Sequence, residues 1–173
     1  MNYFNQETSR LILRKLIPSD IDHWIEFFQN NDSLHFLGID LTKDKYTLAK
    51  EWIDVQLVRY EKEQLGHLAL VLKSTGEFIG VGGIIPRSLN DTKEYEIAYS
   101  IIPRYWGAGY ATEAAIKLKE YGFDNNLSNR FISIIHKDNI RSIKVAMKNN
   151  MKIIFDTSYM GMDVHVFGIE KEF

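Results

Sequence analysis

The chain has 173 residues, 45% of them hydrophobic and 25% charged, with a formal net charge of -2; that suffices for one domain with a sizeable core and argues against a duplex nucleic-acid binder, which needs a basic face. With no cysteine, disulfides, thiolate-held zinc and thiol catalysis are excluded, and a cytoplasmic location is the simplest expectation. No stretch offers the ~20 apolar residues of a spanning helix, the opening residues 1–7 lack the pattern of a secretory leader, and the five histidines are too scattered to imply a metal site.

From the start, Arg10 to Leu16 alternates, with Leu11 and Leu13 on one face and Ile12 and Arg14 on the other, and reads as a strand. Pro18-Ser19-Asp20 opens a helix with Ser19 or Asp20 as N-cap, and Ile21, Trp24, Ile25 and Phe28 recur at helical spacing as a core stripe. Asn30 to Asp40 is a loop whose His35, Phe36 and Leu37 are expected to pack. A second helix is expected from Thr42 to Gln64, with Leu48, Trp52, Val55 and Val58 or Arg59 on successive turns and Gly66 ending it.

His67–Lys73 and Phe78–Ile85 form a hairpin about the turn Ser74-Thr75-Gly76-Glu77. Gly80, Gly82 and Gly83 lie in a β-type run with no helix after them, so they mark a bulge or a close-packed backbone rather than a phosphate loop. Pro86 to Thr92 is expected to be a loop. In the next strand, period two places Glu94, Glu96, Ala98 and Ser100 on one face and Tyr95, Ile97, Tyr99 and Ile101 on the other, so both carboxylates face water or a cleft.

After Pro103 a helix runs from Ala111 to Phe123, then a strand from Arg130 to Ile135 and a helix through Asn149 with Ile143 and Met147 inward. Lys152–Asp156 and Val164–Ile169 close the chain as strands. No linker or repeat divides it, so residues 1–173 are expected to be a single domain. The order is β-α-α-β-β-β-α-β-α-β-β. Three consecutive strands rule out strict alternation and imply an α/β fold of the α+β kind: a mixed, mostly antiparallel sheet of about seven strands with helices on both faces.

Between the Glu94–Ile101 strand and the following helix stands Arg104-Tyr105-Trp106-Gly107-Ala108-Gly109-Tyr110-Ala111. A glycine-bearing turn feeding a helix start gathers free N–H groups at the positive end of the helix dipole, a place for phosphate or pyrophosphate. It could equally be a tight turn. The Gly-Lys-Ser/Thr of a P-loop is missing, and Thr112 stands where a dinucleotide fingerprint has its third small residue.

The block Arg-x-x-Gly-x-Gly-Tyr-Ala, following Glu-Ile-Ala-Tyr-Ser-Ile, resembles the GNAT superfamily of acyl-CoA-dependent N-acetyltransferases. Asn139-Ile140-Arg141-Ser142 is similar to a second family block. Thr8-Ser9-Arg10-Leu11-Ile12-Leu13-Arg14 and Pro18-Ser19-Asp20 resemble the ribosomal-protein N-acetyltransferase branch. The likeness spans nearly the whole chain. It implies direct acetyl transfer from acetyl-CoA, as co-substrate and without a metal, to a primary amine, either a protein N-terminus or a small molecule. The alternative is a non-catalytic acyl-CoA-binding regulatory module of the same fold. A monomer or a homodimer fits equally.

Carried over by matching position, the resemblance implies that Gly107, Ala108, Gly109, Tyr110 and Ala111, flanked by Arg104 and Trp106, hold the pyrophosphate. Glu96 becomes the candidate base, with Glu94 in reserve and a solvated carboxylate as the plain alternative. An N–H near Ile101 would meet the oxyanion, Asn139 the pantetheine, and Ser142 would protonate the leaving thiolate; Asn139 and Ser142 could also simply cap their helix. Arg104, Arg141 and Lys144 could meet CoA phosphates or stand exposed. One departure is Asn150-Met151 where the branch has Gly-Phe. Asn tolerates the left-handed cap conformation and Met can fill the core, so the fold is expected to survive while the fit of the acyl chain changes.

Overall fold

The computed structural model describes residues 2–172. Its eight strands form one sheet: β1 (Asn5–Glu7), β2 (Leu11–Arg14), β3 (His67–Leu72), β4 (Phe78–Leu89), β5 (Thr92–Ile101), β6 (Arg130–His136), β7 (Lys152–Tyr159) and β8 (Met162–Glu170). Its helices are α1 (Asp20–Trp24), α2 (Lys45–Glu61), α3 (Tyr110–Asp124) and α4 (Ile140–Lys148). The sheet order is β1-β2-β3-β4-β5-β6-β8-β7, and only β5 and β6 run parallel. The expected mixed sheet and element order therefore stand, with one strand more than the sequence promised.

That extra strand is β1. Asn5-Gln6-Glu7 carries no β pattern; it is held beside β2 because Tyr3 is buried and its hydroxyl both donates to Gly66 O (2.6 Å) and accepts from Ile84 N (2.7 Å). β3 is buried on both faces. Leu68 and Leu70 pack with Leu11, Leu13, Ile97 and the α3 residues Ala114 and Leu118, while Ala69 and Val71 meet Trp24, Phe27, Phe28 and Ile53 from α1, α2 and the turn between them. Each large apolar side chain so buried contributes roughly 1.5–3 kcal/mol. Helices thus cover both faces, as the pattern required.

Local corrections have local causes. The first helix stops at Trp24 and continues as a tighter 3-10 turn, Ile25–Phe28, which lets Trp24 stack on Phe27 at 4.3 Å. Ser19 makes no side-chain cap bond; the Asp20 carboxylate instead accepts from Ile17 N (2.9 Å) and both Arg14 terminal nitrogens (2.8 and 2.9 Å). The buried side of α2 runs through Leu48, Ala49, Ile53 and Gln56, so Val55 and Val58 are half exposed rather than core. In α4 the inward residues are Ile143, Val145 and Ala146, which turns Met147 outward.

The expected loop at Pro86–Thr92 is strand on both sides of a tight turn, with Leu89 opposite Thr92 and Asn90 and Asp91 at positive φ (47° and 60°). Both central residues are in the left-handed region, as in the hairpin turns that match strand twist. Pro86 is tolerated because β3 ends at His67, opposite Gly83. Beyond it β4 is paired on one side only, and the nitrogen of Pro86 faces the open side. The glycines behave as expected: a Cβ on Gly80 would overlap Ser100 O, and one on Gly83 would overlap Gly66 O, with a register shift nearby at Leu70/Val71.

Candidate active site

The site begins where β5 and β6 part. Their parallel register is confined to Glu96 and Ile132; just beyond, Ser133 Oγ donates to Ile97 O (2.7 Å) where a further rung would form. Antiparallel pairing alternates. Ile102 N donates to Ile79 O (2.9 Å), so even-numbered β5 residues address β4, whereas Ile97, Tyr99 and Ile101 turn their backbone groups toward the split. The Ile101 carbonyl is taken by Trp106 Nε1 (2.7 Å), which leaves the Ile101 N–H directed into the opening.

At the mouth, Gly107 and Gly109 adopt φ of 78° and 83°, and Gly109 is the N-cap of α3. A glycine cap offers no side chain to the first-turn N–H groups, which stay free for an anion. Arg10 holds this turn from behind: its Nη1 donates to Ala108 O (2.9 Å) and its guanidinium lies 4.4 Å from the centre of the Tyr110 ring. Glu113, in the first turn of α3, accepts from Thr8 Oγ1 (2.5 Å), Arg10 N (2.9 Å) and Arg10 Nε (2.6 Å). Burial raises the Glu113 pKa, but these bonds outweigh it and hold the carboxyl below its ordinary range. Thr8, Arg10 and Glu113 were absent from the candidate site; the only trace was the Thr-Ser-Arg run read as the opening of a strand.

A cavity of about 270 Å³ follows the split, bounded by Ile101, Trp106, Gly107, Gly109, Tyr110 and Ala111 on one side and by Asn139 and Ser142 on the other. Basic Arg141, Lys144 and Lys148 also border it, Lys148 being unforeseen. Arg141 stacks 4.3 Å from Trp106 while bonding Asp32 (2.9 Å). Arg104 and Ala108 lie outside this lining; the Arg104 side chain pairs with Glu26 (2.6 Å) and reaches Glu77 (3.6 Å). Asn139 caps α4, its Oδ1 accepting from Ser142 N at 3.3 Å. Tyr99 crosses the split, its hydroxyl donating to Ser142 O (3.1 Å). The Ser142 hydroxyl has no protein hydrogen-bond partner among the described residues, and Ser142 lines the cavity.

A second cavity of about 330 Å³ lies on the α2 face of the sheet and shares Leu37, Tyr99, Ser100, Asn139 and Ser142 with the first. Glu96 is buried at its floor, with Oε2 bonded to Arg87 Nε (2.5 Å) and Oε1 free of protein partners among the described residues. Glu94, on the same face, lies outside both cavities and is ion-paired with Arg130. Alternation puts both candidate carboxylates on one face of β5, but only Glu96 reaches the site. The Asn150-Met151 departure is accommodated as anticipated. Asn150 has φ of 61° and donates to Met147 O (3.0 Å), Met151 N donates to Ala146 O (3.0 Å), and Met151 is buried against Ile135 and Phe167.

A family model for the acetyltransferase (GNAT) domain matches residues 10–152. The chain belongs to the GNAT acetyltransferase family. Among curated relatives of this acetyltransferase, Bacillus subtilis YoaA, named an uncharacterised N-acetyltransferase, is 27% identical over 82% of this chain and 79% of that protein. The B. subtilis protein YkkB is 40% identical over 46% of each chain, so this chain spans less than half of YkkB in that match. A crystal structure of an acetyltransferase from Agrobacterium tumefaciens is similar at 25% identity, with a TM-score of 0.78 over 96% of this chain and 94% of that one. The fold is shared with RimL, a ribosomal L7/L12 α-N-protein acetyltransferase in complex with coenzyme A (16% identity, TM-score 0.75, covering 94% and 95%). Among the described residues, no helix is long and apolar enough to cross a membrane.

Proposed function

We propose that this GNAT acetyltransferase moves the acetyl group of acetyl-CoA directly to a primary amine, with the donor in the first cavity and the amine in the second. The observation that carries the reading is the meeting of the two cavities at Ser100 and Ser142, beside the inward Ile101 N–H. The N–H groups of residues 107–112 would bind the pyrophosphate, helped by Arg141, Lys144 and Lys148. The backbone of Tyr99 and Ile101 would hydrogen-bond the pantetheine arm, as Asn139 would through its amide nitrogen.

Ammonium groups with pKa of roughly 8 (α-amine) to 10.4 (lysine) must lose a proton before attack. Glu96 Oε1 would accept it directly or through water. The amine nitrogen then bonds to the thioester carbon, the Ile101 N–H stabilises the oxyanion, and a preorganised donor of this kind contributes about 3 kcal/mol. On collapse the carbon–sulfur bond breaks, Ser142 Oγ protonates the thiolate, and the proton that the nitrogen sheds as the amide forms restores the serine hydroxyl.

Calorimetric titration with acetyl-CoA should show binding that Gly107→Glu weakens by bulk and charge. Thiol release with a panel of amines should fall by about 10²-fold or more in Glu96→Gln. Absence of acetyl-CoA binding refutes the reading. Binding without thiol release for any amine makes the non-catalytic module the better one. An unchanged rate for Glu96→Gln over about pH 6 to 9 removes Glu96 as the base.

A further inference from the structure

The floor of the second cavity is unusually rich in donors. Arg87 is held to Glu96 only through Nε, and neither of its terminal nitrogens has a protein hydrogen-bond partner among the described residues. His67 is buried, and its Nδ1 accepts from Trp52 Nε1 (3.1 Å), which fixes the tautomer and leaves Nε2 carrying the proton. Gln56 is buried too; its Oε1 accepts from His67 N (2.8 Å), so its Nε2 is the end left over, again without a protein partner among the described residues. All three residues line the cavity.

Against these donors stands one anion, Glu96. Arg59 adds positive charge from outside the cavity: burial above all, then Arg87 and Arg59, push the His67 pKa down to about 3, so that the ring itself is neutral. Donors without protein partners beside a single carboxylate suit an anionic ligand group, and a guanidinium with both terminal nitrogens free matches a carboxylate. Glu96 stands 2.5 Å from Arg87, so the adjacent pair offers one place for a cation and one for an anion. An α-amino carboxylate presents its charges at that kind of separation. A peptide N-terminus would set a neutral amide opposite Arg87. Apolar side chains, among them Phe36, Ile39, Val55, Met160 and Met162, make up much of the remaining wall, interrupted by polar residues such as His136 and Asn139.

We propose that the acceptor is a free α-amino acid with an apolar side chain, its carboxylate bound by Arg87 with His67 and Gln56, and its amine facing Glu96. The inference rests on the acetyl-transfer reading above and narrows it.

The test is thiol release from acetyl-CoA with leucine, methionine and phenylalanine, each beside its amide, its decarboxylated amine and a peptide that begins with it. Free acids should exceed their amides by at least about tenfold in kcat/KM, because donors built for a carboxylate are left unpaired by the analogue. Arg87→Met should abolish that ratio and Arg87→Lys should keep part of it. The amide rate within each variant shows that the protein still folds and transfers. Amides, amines or peptides matching the acids overturn the proposal, as does an acid preference that survives Arg87→Met. Activity confined to amines outside the panel overturns it too, while leaving the acetyl-transfer reading intact. Loss of acetyl-CoA binding, by contrast, would refute the reading on which it rests.

Discussion

Gly107 offers a clean test of the pyrophosphate turn. Its φ is 78°, and a Cβ built there meets nothing within 4 Å, so alanine would suffer backbone strain without a steric clash in the free protein. The left-handed conformation costs an alanine about 1–2 kcal/mol. If the turn keeps its shape in Gly107→Ala, that amount is lost from stability; if it relaxes, the amount is lost from ligand binding as about 5- to 30-fold in Kd. The sum of the two losses should therefore be at least about 1 kcal/mol. Gly76 supplies the control: its φ is 76°, a Cβ there also meets nothing, and it sits in the β3–β4 turn outside both cavities. Gly76→Ala should lose the same stability and leave acetyl-CoA affinity unchanged. Urea unfolding and calorimetry on both variants supply the four numbers. No loss in either measurement for Gly107→Ala, or an affinity loss in Gly76→Ala equal to that at Gly107, would refute the assignment.

Three other outcomes are expected. Because the His67 pKa falls from 6.5 to about 3 on folding, the unfolded chain takes up the extra proton in acid. Its stabilising contribution is complete above the unfolded value and shrinks as pH falls toward 3; linkage puts the loss by about pH 5 at about 2 kcal/mol. The fall in unfolding free energy between about pH 7.5 and 5 should be smaller by that amount in His67→Asn, and identical slopes would refute the buried neutral ring. Gly122→Ala in α3 would place a methyl in overlap with Cζ of Phe131, whose ring is fully buried and packed 5.0 Å from Phe123. Overpacking of roughly 1–3 kcal/mol should exceed the ~1 kcal/mol helix-propensity gain, so the urea midpoint should fall, not rise. Glu113→Gln should weaken acetyl-CoA binding about fivefold, since its bond to the half-exposed Arg10 is discounted by solvent to about 1 kcal/mol; calorimetry that finds no change would confine Glu113 to a structural role.

What the sequence disclosed follows from range. Alternation in β2 and β5, the break at Pro103 and the glycine turn at 107–109 are set by neighbours along the chain, and the structure reproduces them, whereas the second helix already ends at Glu61, short of Gly66. What depends on distant partners was hidden. β1 exists because Tyr3 reaches Gly66 and Ile84, and α1 shortens because Trp24 packs on Phe27. Arg87 was hidden behind Pro86, which reads as a loop unless one knows that β3 has already ended there.

That last case reaches furthest into the chemistry. Read along the strand, Glu94 and Glu96 are equivalent: two carboxylates on one face, turned to water or a cleft. Across the sheet they are not. Glu94 lies directly opposite Arg87 in the register yet pairs with Arg130, its neighbour on β6, while Arg87 reaches diagonally to Glu96. Two ion pairs thus span three strands, and their charges cancel. The cleft therefore holds no surplus of negative charge and presents one carboxylate beside one guanidinium with unused donors. Changing Glu94 should therefore affect mainly Arg130 and stability, whereas changing Arg87 should alter which amines are acetylated. This asymmetry between two glutamates on one strand face is set by the partners that β4 and β6 bring to them, and no reading of β5 alone could supply it.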